Sequence, residues 1–221
     1  MDMGLVEYRS LVFDCDGVVL DSNKVKTVAF YKAALPYGEQ AAEALVMYHK
    51  ANGGVSRYKK FSYFLKALVP LYAAKENGPD LEQLLETYAA EVVQGLLTCD
   101  IAPGLRQLRE ATSESRWVIV SGGDQAELRQ VFSQRGLSDW FDGGIFGSPD
   151  TKEQILNREI ASGNIQRKAL FLGDSKYDYQ ASSAAGLDFI FLYGWTEVEG
   201  WKSWVELNKI KAEIGIKYLI P

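Results

Sequence analysis

Five short apolar runs, each ending at or next to Asp, Ser or Gly, constrain this chain more than any other feature. They are Ser10–Asp14, Trp117–Val120, Gly144–Phe146, Ala169–Gly173 and Phe189–Tyr193. A run apolar at successive positions has no solvent face, so it predicts a strand covered on both sides, as in a parallel sheet. Between most of the runs, apolar residues recur at helical spacing. Leu128, Val131 and Phe132 follow the second run, and Ile155, Leu156 and Ile160 lead to the fourth. Single helices between parallel strands predict right-handed crossovers and a three-layer α/β/α sandwich with a Rossmann-like sheet. A last helix is expected from Gly194 onward, with an edge strand or a packed tail over Ile216–Ile220.

One connection does not fit that alternation. From Ser22 to about Cys99 there are four helical patterns and no convincing strand: Ser22–Leu35, Glu39–Ala51, Arg57–Ala74 and Leu81–Leu97. This is far too long for an ordinary strand-to-helix connection. It predicts an all-α domain over residues 22–99, inserted into a sheet domain formed by residues 1–21 and 100–221. The expected hinges are Leu20–Asn23 and Thr98–Gly104. Charge marks the same division. The whole chain has a net charge of −5, yet Ser22–Lys66 carries eight basic residues and two acidic ones.

Composition narrows the function classes. With 47% apolar and 24% charged residues the chain reads as a soluble globular protein. Its acidic balance lacks the basic footprint of a nucleic-acid binder. No apolar run exceeds five residues, so no membrane span is expected, and no secretory segment follows Met1. Two cysteines, Cys15 and Cys99, make neither a disulfide framework nor a zinc cage, which predicts a cytoplasmic protein. The single histidine, His49, excludes any mechanism that needs two and is expected to be a surface or packing residue.

The residues that carry chemistry cluster at the predicted strand ends. Asp14 and Asp16 follow the first run and precede Gly17. Two carboxylates so close repel unless a cation lies between them, although Asp and Gly also form ordinary turns. Ser121-Gly122-Gly123-Asp124 offers a hydroxyl and free N–H groups where a helix should open, the ingredients of an anion cradle. Lys152 opens the helix after the third run. Asp174, Ser175 and Asp178 follow the fourth, with the two carboxylates four residues apart. All of these lie at the carboxyl ends of strands, where open α/β sheets bind ligands.

In that conjunction the sequence resembles the haloacid dehalogenase superfamily, and within it the phosphohydrolases. FDCDGVVLDS is similar to the family's first motif, the Ser121 run to its second, Lys152 to its third and GDSKYDYQASSAAG to its fourth. The resemblance implies a Mg²⁺-dependent phosphatase of a small phosphorylated metabolite, acting through an aspartyl-phosphate, with the insertion as a helical cap. It implies Asp14 as nucleophile and Asp16 as acid and base. Asp14, the Asp16 backbone carbonyl and Asp174 would hold the metal. Ser121, Gly122 and Lys152 would hold the phosphate, with Asp178 and Ser175 supporting them. Arg57 and Lys26 are the cap residues expected to set specificity, Arg57 by grasping a second polar end of the substrate.

Departures shape the branch. Asp16 is retained, which argues against halide displacement, and Glu153 stands where the third motif usually has proline. Gly54–Arg57 resembles the cap loop of β-phosphoglucomutase, but Lys26 stands where that mutase has histidine. A phosphomutase, and more remotely a low-turnover binder of phosphorylated metabolites, are the alternatives. No nucleic-acid or membrane partner is expected, and either a monomer or a homodimer fits.

Overall fold

The computed structural model describes residues 4–73 and 77–220. The Ala74 end of the third expected helix, and Lys75 and Glu76 beyond it, therefore lie outside the described residues. Six strands form one parallel sheet: β1 (Ser10–Phe13), β2 (Arg116–Asp124), β3 (Ile145–Ser148), β4 (Ala169–Gly173), β5 (Asp188–Leu192) and β6 (Lys211–Glu213). Their order is β3-β2-β1-β4-β5-β6, with Val12 in register with Val118 on one side and Phe171 on the other. Alternate residues of β1 feed opposite faces. Phe13 packs with Trp117 and Phe132 on one face, while Val12 packs with Val118, Ile155 and Phe171 on the other. Burial on both faces is why these runs carry no polar alternation.

Of the two expectations for Ile216–Ile220, the packed tail is the one found. Ile216–Leu219 forms a 3₁₀ turn, with Ile216 buried, and the edge strand is Lys211–Glu213. Lys-Ala-Glu pairs with β5 in parallel register, and no apolar run betrays it.

Between β1 and β2 the chain forms α1 (Asn23–Ala34), α2 (Glu39–Ala51), α3 (Arg57–Tyr63), α4 (Val69–Tyr72) and α5 (Leu81–Thr98). A wide π turn, Phe64–Leu68, joins α3 to α4. Pro70 has no N–H to give the carbonyl four residues back, and the wider turn accommodates that loss. Phe30 of α1 sits at the centre of this helical group, its ring 4.4 Å from Tyr88 and 5.1 Å from Phe61. The remaining helices are α6 (Leu105–Ala111), α7 (Gln125–Gln134), α8 (Lys152–Ala161), α9 (Lys176–Ala184) and α10 (Trp201–Asn208). The chain passes from β1 to β2 and β3 on one side, then returns to β4 on the other. The crevice between β1 and β4 is thus the topological switch point, and Asp14 and Asp174 leave the sheet there.

Candidate active site

Asp14 is held by backbone on both sides. Its N–H donates to the Leu172 carbonyl at 2.9 Å, and its Oδ1 accepts from the Cys15 N–H at 2.7 Å. Cys15 itself is buried packing, its thiol pushed well up by burial and unreactive for that reason. Gly17 turns the chain with φ of 73°, and a Cβ there would lie 2.1 Å from Asp174 Oδ2. No other residue type fits that turn and leaves Asp174 in place.

Lys152 opens α8 behind a Thr151 cap and is 1% exposed, unlike the solvated lysine common at helix starts. Its Nζ lies 2.9 Å from Asp14 Oδ1 and 2.5 Å from Asp178 Oδ1. Asp178 is placed by helix capping: its Oδ2 accepts from the Ser175 N–H at 3.0 Å and from Ser175 Oγ at 2.6 Å. Ser175 and Asp178 therefore fix the start of α9 and the direction of Lys152 together. Asp174 Oδ2 accepts from Asn23 Nδ2 at 2.7 Å, and Asn23, the first residue of α1, also donates to the Trp195 carbonyl. Carboxylate oxygens of Asp14, Asp174 and Asp178 lie within 4.8 Å of one another, all buried.

Burial pushes Asp14 up to about 7 against the pull of Lys152, with Asp178 and Asp16 adding to the rise. Burial raises Asp174 well above its ordinary range too, reinforced by Asp14 and Asp178. Three carboxylates share one buried ammonium, an excess of negative charge in a dry site. That oxygen-only donor set fits a hard divalent cation.

The Asp16 side chain points elsewhere. It accepts from Ser22 Oγ at 2.5 Å and forms an ion pair with Lys26 of α1. Burial alone would raise its pKa, but the Lys26 ammonium and the Ser22 hydroxyl hold it below the usual carboxylate value. Of the residues expected to serve the metal, Asp14 and Asp174 are side by side, whereas the Asp16 carboxylate lies outside the acidic cluster. Lys26, expected to set specificity, is occupied by Asp16.

At the second expected feature β2 continues through Ser121 and Gly122 to Asp124, and the expected helix, α7, opens directly after it, with Asp124 capping it by accepting from the Glu127 N–H at 3.0 Å. Ser121 is fully buried, and its Oγ accepts from the Gly123 N–H at 3.0 Å. Gly122 meets the helical insertion, where a Cβ would lie 2.0 Å from the Gly54 carbonyl oxygen.

Arg57 has a partner on the sheet domain. Its guanidinium makes a fork to Glu127 of α7, at 3.0 and 2.5 Å, and lies 4.5 Å above the Tyr88 ring. It joins the insertion to the sheet domain while also lining the cavity between them. Tyr58 reinforces the junction by donating to Asp124 at 2.8 Å. Between the two parts lies a cavity with an open volume of about 600 Å³, mouth included. Asp14, Asp16 and Asp174 form its floor, and Lys26, Phe30, His49, Lys60 and Tyr88 line the insertion side. Sequence reading missed Asn23, Lys60, Tyr88 and Glu127. Only Lys60 carried a signal, three residues after Arg57 on the same helix.

A parallel sheet with an acidic cluster at its switch point, beneath a helical insertion, places the chain among the open α/β proteins whose sites lie at the carboxyl ends of the strands. More narrowly, the chain belongs to the haloacid dehalogenase-like hydrolases, whose family model matches residues 8–186. It is 24% identical over 191 residues to a phosphorylated carbohydrates phosphatase of Thermotoga maritima, covering 83% of this chain and 84% of that one. Its fold is similar to that of β-phosphoglucomutase from Clostridium difficile, with a TM-score of 0.69 at 17% identity over 96% of this chain and 93% of the other. A Lactobacillus plantarum protein provisionally named a phosphoglycolate phosphatase gives 0.69 at 19%, over 94% and 95%. At such identities the structural likenesses establish the fold alone. No helix among the described residues is long and apolar enough to cross a membrane.

Proposed function

We propose that this protein is a phosphoric monoester hydrolase that cleaves a small phosphorylated carbohydrate or phospho-acid through an aspartyl-phosphate. In this reading residues 1–21 and 100–221 are the catalytic core and residues 22–99 a cap that encloses the substrate. The observation that carries it is the buried set Asp14, Lys152, Asp174 and Asp178 at the switch point. The Thermotoga maritima relative's name supports the substrate class.

Oδ1 of Asp14 is engaged by Lys152 and the Cys15 N–H, so Oδ2 is the oxygen free to attack phosphorus. The new Oδ2–P bond forms as the ester P–O bond breaks, and the departing alkoxide takes a proton. Water then attacks phosphorus, releases inorganic phosphate and restores the carboxylate. Lys152 offsets the charge of the transferring group, with Asp178 fixing its direction. Asp16, ionised beside Lys26, is suited to take the proton of the hydrolytic water; to protonate the alkoxide it has first to leave Lys26 and take up a proton from solvent, which it then gives to the leaving oxygen. Asp14, Asp174 and the Asp16 carbonyl would hold Mg²⁺, which supplies charge neutralisation at the phosphoryl oxygens when bound.

The test is release of inorganic phosphate from a panel of phosphorylated sugars and sugar acids with Mg²⁺. Asp14→Asn should keep the fold and lose several powers of ten in rate. Substantial release by Asp14→Asn at equal purity would defeat the proposal.

A further inference from the structure

Among the described residues four cationic side chains are buried: Lys26, Arg57, Lys60 and Lys152. Three have carboxylate partners: Asp16 for Lys26, Glu127 for Arg57, and Asp14 with Asp178 for Lys152. Lys60, only 2% exposed, is the exception. Its one polar partner among the described residues is His49, whose Nδ1 is 2.7 Å from Nζ. Every carboxylate in the cavity is engaged elsewhere: Asp16 by Lys26 and Ser22, Asp174 by Asn23, Asp14 by Lys152, and Glu197 by Thr27 and Lys50.

We infer that Lys60, anchored by His49, is a binding site for a second anionic group of the substrate, a carboxylate or a second phosphoryl group. The inference rests on the proposed phosphatase activity and adds to it the charge of the substrate's far end. Arg57, the residue the sequence singled out for that task, is taken by Glu127.

Burial and charge support it. His49 is buried with its ring 4.5 Å from Phe30, and burial together with the Lys60 charge keeps it neutral. A neutral imidazole accepting at Nδ1 fixes the direction of the ammonium and leaves two of its hydrogens for the cavity. Burial, with Lys26 nearby, pushes Lys60 down to about 7. A desolvated ammonium with no carboxylate in contact is costly to keep, and an entering anion offsets that cost where a hydroxyl does not. The Phe30 and Tyr88 rings beside it limit competing water.

The test compares kcat/KM for two classes of ester. One class carries a second anion: phosphoglycolate and phosphoglycerate with a carboxylate, a ketose bisphosphate with a second phosphoryl group. The other, a hexose monophosphate, carries only hydroxyls. The wild type should favour one of the first class, and which member wins separates carboxylate from phosphoryl. Lys60→Met should cut that preference by roughly ten- to a hundredfold. The variant should also melt at or above the wild-type temperature, because an apolar chain replaces a buried cation. His49→Leu should cut the preference in the same direction, by less.

A wild type without preference for the second charge, or a preference that survives Lys60→Met, would overturn the assignment. So would a lowered melting temperature with equal losses on both classes, the mark of a structural lysine. If no ester is turned over at all, the phosphatase reading fails by itself. Calorimetric binding of phosphoglycolate against methyl phosphate, in wild type and Lys60→Met, then still decides Lys60.

Discussion

Gly122→Ala isolates closure of the insertion from every other property of the site. Alanine keeps the backbone N–H, and Gly122 has no positive φ, so the change adds a methyl group without backbone strain. That methyl would stand 2.0 Å from the Gly54 carbonyl oxygen and 2.9 Å from its carbon. Cβ atoms essentially never approach closer than 3.0 Å, and both obstacles are backbone, so the loop or the strand has to give by about 1 Å. A displacement of that size between the two walls of an active site costs roughly a hundredfold in rate. The expected result is therefore a fall in kcat/KM of about two powers of ten with little change in melting temperature. Gly123→Ala is the control, since its methyl meets only the flexible Leu128 side chain at 3.2 Å. It should lose far less. Wild-type kinetics in Gly122→Ala would refute the reasoning, because they would show that catalysis does not need the Gly54 loop against β2.

Without divalent cation, the melting temperature should fall as pH rises from about 4 towards 7. Asp14 and Asp174 are raised, so the folded state keeps protons that the unfolded chain has already lost; that stabilisation is full below about pH 4 and disappears as pH climbs through about 7 for Asp14. Neutral His49 works the other way below about pH 6.5, and Lys60, pushed down to about 7, joins it as the pH approaches 7, which leaves a net slope of at most about 1.4 kcal/mol per pH unit. Melting curves in EDTA check the sign, and millimolar Mg²⁺ should remove most of the dependence; a melting temperature that rises with pH in EDTA would contradict it. The forked contact between Arg57 and Glu127 should show a coupling energy of about 1–3 kcal/mol in a double-mutant cycle read by denaturant unfolding, well above an exposed pair. Additive single effects would mean that the fork does not hold the insertion to the sheet domain.

What the sequence revealed follows from how local each signal is. The strand ends bearing Asp14 and Asp174 were legible because an apolar run is cut off by acids and glycine within a few residues. The helix over Glu39–Ala51 was read to the residue, since its punctuation lies in Gly38 and in Asn52-Gly53. The partners were not legible. Asn23 reaches Asp174 across 151 positions and Arg57 reaches Glu127 across 70, and no spacing rule connects such residues. The charge of Arg57 was visible, but the Glu127 that pairs with it was not. Lys60 looked like one of several lysines on an amphipathic helix until the fold buried it beside His49. The helix after Ser121-Gly122-Gly123-Asp124 was legible, but not that β2 runs four residues further than its apolar run to reach it.

The phosphoryl group itself gives the most direct measurement. The enzyme is mixed with a turned-over phosphate ester and Mg²⁺, quenched in acid within the first turnovers, digested and analysed by mass spectrometry. The peptide that contains Asp14 should carry the mass of one phosphoryl group, and fragmentation should place it on Asp14 and not on Asp16. The signal should be absent from Asp14→Asn and from enzyme without Mg²⁺. A phosphoryl group on any other residue, or rapid turnover in which no phosphorylated peptide forms under conditions that stabilise acyl phosphates, would contradict nucleophilic attack by Asp14.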